Sequence, residues 1–143
     1  MNIIHSILMA TFSFLAFMHF YWAFGGKYGL EQAIPTRNKN EKGKLPGKLI
    51  TIFVGLVLLF FGSIYLIKAN FISTPISKSI INISSYIIPI LFFIRVIGDF
   101  KYVGLFKKVT DTVFAKADTK IYIPLCSFIS VLGFLSVIII DYL

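Results

Sequence analysis

Acidic side chains are scarce in this chain: six Asp and Glu stand against 14 Lys and Arg in 143 residues, a formal charge of +8. Charge of either sign makes up only 14% of the chain, against about 25% in a soluble domain. Too little polar surface exists to wrap a soluble core of this size, which excludes a soluble enzyme of ordinary dimensions. Cysteine is scarcer still. Cys126 stands alone, so a disulfide scaffold is excluded. No polar low-complexity tract and no glycine repeat is present, which removes disorder and collagen. Apolar residues, by contrast, fill 57% of the sequence, with 16 phenylalanines and a mean hydropathy of +0.87. That is the composition of a membrane protein, with length for one domain.

Runs without Asp, Glu, Lys or Arg cover Ile3–Phe24, Leu49–Ile67 and Ile121–Ile140, and a fourth covers Ser79–Ile97 if Arg95 is admitted. Each approaches the roughly 20 residues that carry a helix across about 30 Å of hydrocarbon. The runs lack the in/out alternation of a barrel strand and are too long for one. Asn82, Ser84, Ser85 and Pro89 in the third run predict a kinked helix packed against protein. The connections 25–48 and 98–120 are shorter than the roughly 40 residues a separate domain needs. Residues 1–143 therefore read as a single integral membrane domain.

Orientation follows from basic residues in short connections. Lys27, Arg37, Lys39, Lys42, Lys44 and Lys48 lie in the first; Lys101, Lys107, Lys108, Lys116 and Lys120 lie in the third. Only Lys68 and Lys78 lie in the second. The bias places 25–48 and 98–120 in the cytoplasm and both termini outside the cell membrane. Ala23 and Gly25 invite comparison with a signal-peptide cleavage site, but no basic stretch precedes the apolar run, and His19, Tyr21 and Trp22 form an interface belt at its end.

Small residues at helical spacing predict the helix contacts: Cys126, Ser130 and Gly133; Gly55 and Gly62; Ser6, Ala10 and Ser13. Winding Asp99–Asp118 at 100° per residue gathers Tyr102, Val103, Phe106, Val109, Thr110, Val113, Phe114 and Ala117 on an arc of about 140°. That pattern predicts an amphipathic helix in the membrane interface between spans three and four, its lysines towards anionic headgroups. The lysines are thereby accounted for without nucleic acid.

The residues rarest in membrane helices converge on the cytoplasmic rim. His19 and Trp22 end span one, Arg95 and Asp99 end span three, and Asp118 and Tyr122 open span four. Arg95 and Asp99, four apart, would share a helical face and pair. Arg95 could instead bridge Asp118 and pin two spans, or hold a ligand anion. His19 reads as a hydrogen-bonded interface residue or a proton carrier, and Asp118 as the cap of span four. The two histidines lie about 21 Å apart along a helix with no further ligand at metal spacing, so no metal or cofactor is expected. Gly25 and Gly26 read as a helix stop.

HFYWAFGG (His19–Gly26), RVIGDFKYVGLFKK (Arg95–Lys108), FAKAD (Phe114–Asp118) and YIPLC (Tyr122–Cys126) resemble the DUF3995 family of small bacterial membrane proteins. The resemblance implies a four-span helical protein and no assigned activity. A looser likeness, of architecture alone, is to four-helix membrane proteins that work with quinones or sterol-like lipids, and architecture does not carry function.

The residues thus predict an all-α membrane protein, a four-transmembrane-helix bundle whose rim binds an anionic lipid headgroup or a membrane protein partner. An integral membrane enzyme acting on a lipid, isoprenoid or quinone at that rim is the alternative, with His19 or Asp118 as acid or base. A transporter subunit or an immunity-like partner protein is the third reading. Four short helices leave little room for a private aqueous path, so transport would call for a homo-oligomer.

Overall fold

A computed structural model describes residues 3–142, with side chains through Ile138. Among these residues the chain is helical and has no strand. Helix α1 spans Ile3–Ala23, α2 Leu30–Ala33, α3 Lys48–Lys68, α4 Lys78–Ile97, α5 Val113–Ala117 and α6 Ile123–Tyr142, with a π-helical turn at Asp118–Tyr122 joining the last two. Four helical stretches are long and apolar enough to cross a membrane: α1, α3, α4, and the continuous rod Val113–Ile138. The protein is a four-span membrane protein.

The bundle consists of two antiparallel hairpins, α1 with α3 and α4 with α6. Glycine draws each pair together. A Cβ on Gly55 would lie 2.7 Å from the Phe20 ring and one on Gly62 3.3 Å from Phe12, so α1 lies directly on these two positions of α3. In the second hairpin a Cβ on Gly133 would come 2.7 Å from Pro89, and the Ser130 hydroxyl donates to the Pro89 carbonyl at 3.0 Å. Small residues at these positions let side chains of the neighbouring helix seat against the backbone, the packing that replaces the hydrophobic drive in lipid. The buried line on α1 is His5, Leu8, Phe12 and Ala16, whereas Ala10 and Ser13 of the expected small stripe face outward. Phe12 stacks on Tyr65 at 5.8 Å and meets Phe92 edge-on at 5.4 Å, which joins the two hairpins at mid-height.

Helix α1 stops as its sequence predicts. Gly25 takes φ +99°, its N–H bonds to the Trp22 carbonyl, and the Gly26 N–H bonds to the Tyr21 carbonyl; this pair of bonds closes a Schellman cap, in which a left-handed residue is cheapest as glycine.

Two expectations for the third connection fail. No interfacial helix forms over Asp99–Asp118: residues 99–112 run as turns and bends, and helix begins only at Val113. The cause is local. Gly98 and Gly104 both adopt positive φ and cross backbone to backbone, with Gly98 seated where a Cβ would run into the Val103 carbonyl. The Asp99 carboxylate accepts the N–H groups of Lys101, Tyr102 and Val103 at 2.7–2.9 Å, offering the backbone an alternative to helix. Second, Asp118 does not cap span four. The cap is Thr112, whose buried hydroxyl accepts the Ala115 N–H at 3.0 Å, and the rod begins eight residues before the expected Ile121.

The π turn sets the register of that rod. Its buried line passes through Asp118, Ile123, Cys126, Ser130, Gly133 and Val137, steps of five, three, four, three and four residues. The five-residue step falls at the π turn, where each N–H reaches back five residues. It brings Asp118 onto the face that the rest of α6 presents to α4.

Candidate functional site: a basic rim with a buried carboxylate

The connections 25–47 and 98–112 lie at one end of the bundle, where α2 packs on α5. Two structures occupy this rim. The first is an ion cluster centred on Asp118, which is fully buried. Its Oδ1 accepts Arg95 Nη2 at 2.8 Å; its Oδ2 accepts the Gly104 N–H at 2.9 Å and Lys107 Nζ at 3.2 Å. Lys107 is nearly buried as well, and its ammonium spends all three donors inside the protein, the others going to Thr119 Oγ1 at 2.7 Å and the Gly104 carbonyl at 3.2 Å. One carboxylate thus ties α4, the 98–112 loop and the last span together. Its value lies in completeness, since a buried charge is tolerable only when paired and hydrogen-bonded. Two cations against one anion leave the cluster one positive charge in excess. Among the described residues, Arg95 Nη1 is buried without a hydrogen-bond partner.

The second structure is a cleft of about 750 Å³ between the end of α1, α2, the start of α3 and Val113 of α5. Trp22, Leu30, Ile34 and Val113 supply its apolar walls, and Lys27, Lys39, Lys42 and Lys48 reach it from three segments. Trp22 is fixed there: its indole N–H donates to the Tyr28 carbonyl at 2.8 Å, and His19 meets its ring edge-on at 5.2 Å. Lys48 lies over the Phe24 ring, 5.0 Å from its centre.

The six residues that the sequence singles out fall into three groups. Arg95 and Asp118 are joined, with Tyr122 one turn beyond and stacked on Phe114 at 6.2 Å. His19 and Trp22 form a pair on α1, His19 Nδ1 donating to the Leu15 carbonyl at 2.7 Å. Among the described residues, neither bonds to Arg95 or Asp118. Asp99 stands apart and exposed: its bond to Arg95 does not form, because Gly98 ends α4 before Asp99 can continue the helical face. The N–H donors of Lys101, then Val103, hold the Asp99 carboxyl below the usual carboxylate range. The sequence reading missed Lys107 as the second partner of Asp118, and it missed the cleft. Leu30 and Ile34, apolar within an otherwise polar connection, are the signal that this segment packs.

A family model described as a protein of unknown function (DUF3995) matches residues 12–133. The chain belongs to this family. The matched region holds Trp22 and the cleft lysines as well as Arg95, Gly98, Gly104, Lys107 and Asp118, so both structures at the rim lie within it. No curated protein and no solved structure matches the DUF3995 chain.

Proposed function

We propose that this DUF3995 protein resides in the cell membrane with both termini outside and its basic rim in the cytoplasm, where the cleft binds the anionic headgroup of a lipid. The observation that carries this reading is the cleft itself: four lysines converge on a concavity walled by tryptophan and aliphatic side chains, at the level where the spans end. Concave sites with apolar walls and a few convergent polar groups are where small ligands bind. Basic residues near an anionic leaflet contribute about 1 kcal/mol each. The orientation is supported by the basic bias of the two connections at this rim against Lys68 and Lys78 at the other. Arg95 serves this function indirectly, by anchoring the last span, because its guanidinium is committed to Asp118.

Native mass spectrometry from mild detergent tests the reading. The wild-type chain is expected to carry anionic lipid adducts, and a variant with Lys27, Lys39, Lys42 and Lys48 all changed to Gln is expected to lose them, its affinity falling by at least about tenfold. Equal adducts in both proteins, or none in either, would remove the cleft from the account.

A further inference from the structure

The lining of the cleft is not uniformly basic. Glu31 and Glu41 stand among Lys27, Lys39, Lys42 and Lys48, so four positive charges are opposed by two negative ones and the formal excess is two. Glu41 is held in place by the Arg37 N–H, which its carboxylate accepts at 2.8 Å; Glu31 sits in the first turn of α2. Resting on the headgroup reading above, we infer that the cleft selects a phosphomonoester headgroup over a phosphodiester one.

Three physical features argue for it. A phosphomonoester carries about −1.5 to −2 charges at neutral pH and three terminal acceptor oxygens, whereas a phosphodiester carries one charge and two such oxygens. Coulomb attraction scales with the product of charges, so a lining with two excess positive charges gains about twice as much from the dianion. Glu31 and Glu41 repel a dianion more than a monoanion, so the preference rests on the net positive excess of the lining, which must draw the monoester from the leaflet surface. That surface is already full of competing diesters.

The donors match the acceptors as well. The lining lysines belong to three segments, the connection after α1, the 34–47 segment and the start of α3, so their flexible side chains can approach a tetrahedral phosphate from several sides, one oxygen to a donor. Finally, a volume of about 750 Å³ far exceeds a phosphate group. Trp22, Leu30 and Val113 offer the remainder an apolar wall, which fits an amphiphile and gives a bare phosphate little to hold.

Trp22 is the only tryptophan in the chain and lies in that wall, so its fluorescence reports occupancy. The full chain in uncharged detergent is titrated with phosphatidic acid or phosphatidylglycerol carrying brominated acyl chains, with brominated phosphatidylcholine as the zwitterionic control. The expected result is saturable quenching by phosphatidic acid at a concentration about tenfold lower than phosphatidylglycerol requires. Glu31→Gln with Glu41→Gln raises the formal excess of the lining from two to four, so both anionic lipids are expected to bind more tightly and the gap between them to widen; a gap that closes in this variant overturns the charge argument for the monoester. Equal half-saturation in the wild-type protein, abolished by the four-lysine variant, overturns the monoester preference and leaves the headgroup reading standing. Quenching that never saturates with either anionic lipid overturns both. Competition by inorganic phosphate as strong as that by phosphatidic acid overturns the lipid as the source of the monoester.

Discussion

Replacing Asp118 with alanine is expected to destabilise the protein by about 3–5 kcal/mol, the range found when one partner of a buried ion pair is removed. The variant would leave Lys107, nearly buried, without its counter-ion, and the Gly104 N–H without its acceptor. Each loss acts separately, since an unpaired buried charge and an unsatisfied buried donor both carry a desolvation cost. Asp118→Asn keeps an oxygen for Gly104 while deleting the charge, so it should fall between alanine and wild type. Reversible unfolding in detergent, followed by far-ultraviolet circular dichroism, measures both. A loss under about 1 kcal/mol for Asp118→Ala would mean that the cluster is a surface ion pair of the kind that contributes little.

The second large effect belongs to a residue with no side chain. Gly98→Ala should cost at least about 3 kcal/mol, adding left-handed backbone strain to an overlap that the rigid partner cannot relieve. At φ +85° alanine is already disfavoured, and its methyl group would run into the Val103 carbonyl and the Gly104 backbone. Because the crossing carries Gly104 to Asp118, opening it also removes one of the bonds to the buried carboxylate. Gly47→Ala serves as the control: Gly47 lies at φ −60° with nothing within 4 Å of the added atom, and its cost should stay within about 1 kcal/mol. Expression yield and unfolding midpoints of the two variants should separate clearly; matching behaviour would contradict the crossing.

The first two spans could be read from charge-free runs, and the third once Arg95 is admitted, to within one or two residues, because bilayer thickness sets their length and the cost of charge sets their ends. The fourth could not. Lys116, Asp118 and Lys120 interrupt its run, yet Asp118 is neutralised by Arg95 and Lys107, neither of them its sequence neighbour, so the helix extends through it. The 98–112 loop misled for a different reason. Its apolar residues fall on a helical arc, but periodicity ignores the Asp99 carboxylate, which captures three backbone donors, and the two glycines at positive φ. The Arg95–Asp118 bond was among the readings left open by spacing; choosing it over Arg95–Asp99 required knowing where α4 ends. The cleft depends on the docking of α2 onto α5, a long-range contact with no short-range signature beyond Leu30 and Ile34.

Everything proposed for the rim depends on the two lysine-bearing connections sharing the cytoplasmic compartment. Single cysteines placed by Lys42→Cys, Lys108→Cys and Asn70→Cys, each in a Cys126→Ser background, can be probed in intact cells with a membrane-impermeant maleimide. Labelling of position 70 alone, with 42 and 108 reacting only after lysis, is the expected result. Reaction of 42 and 108 from opposite sides, or of both in intact cells, would contradict the account.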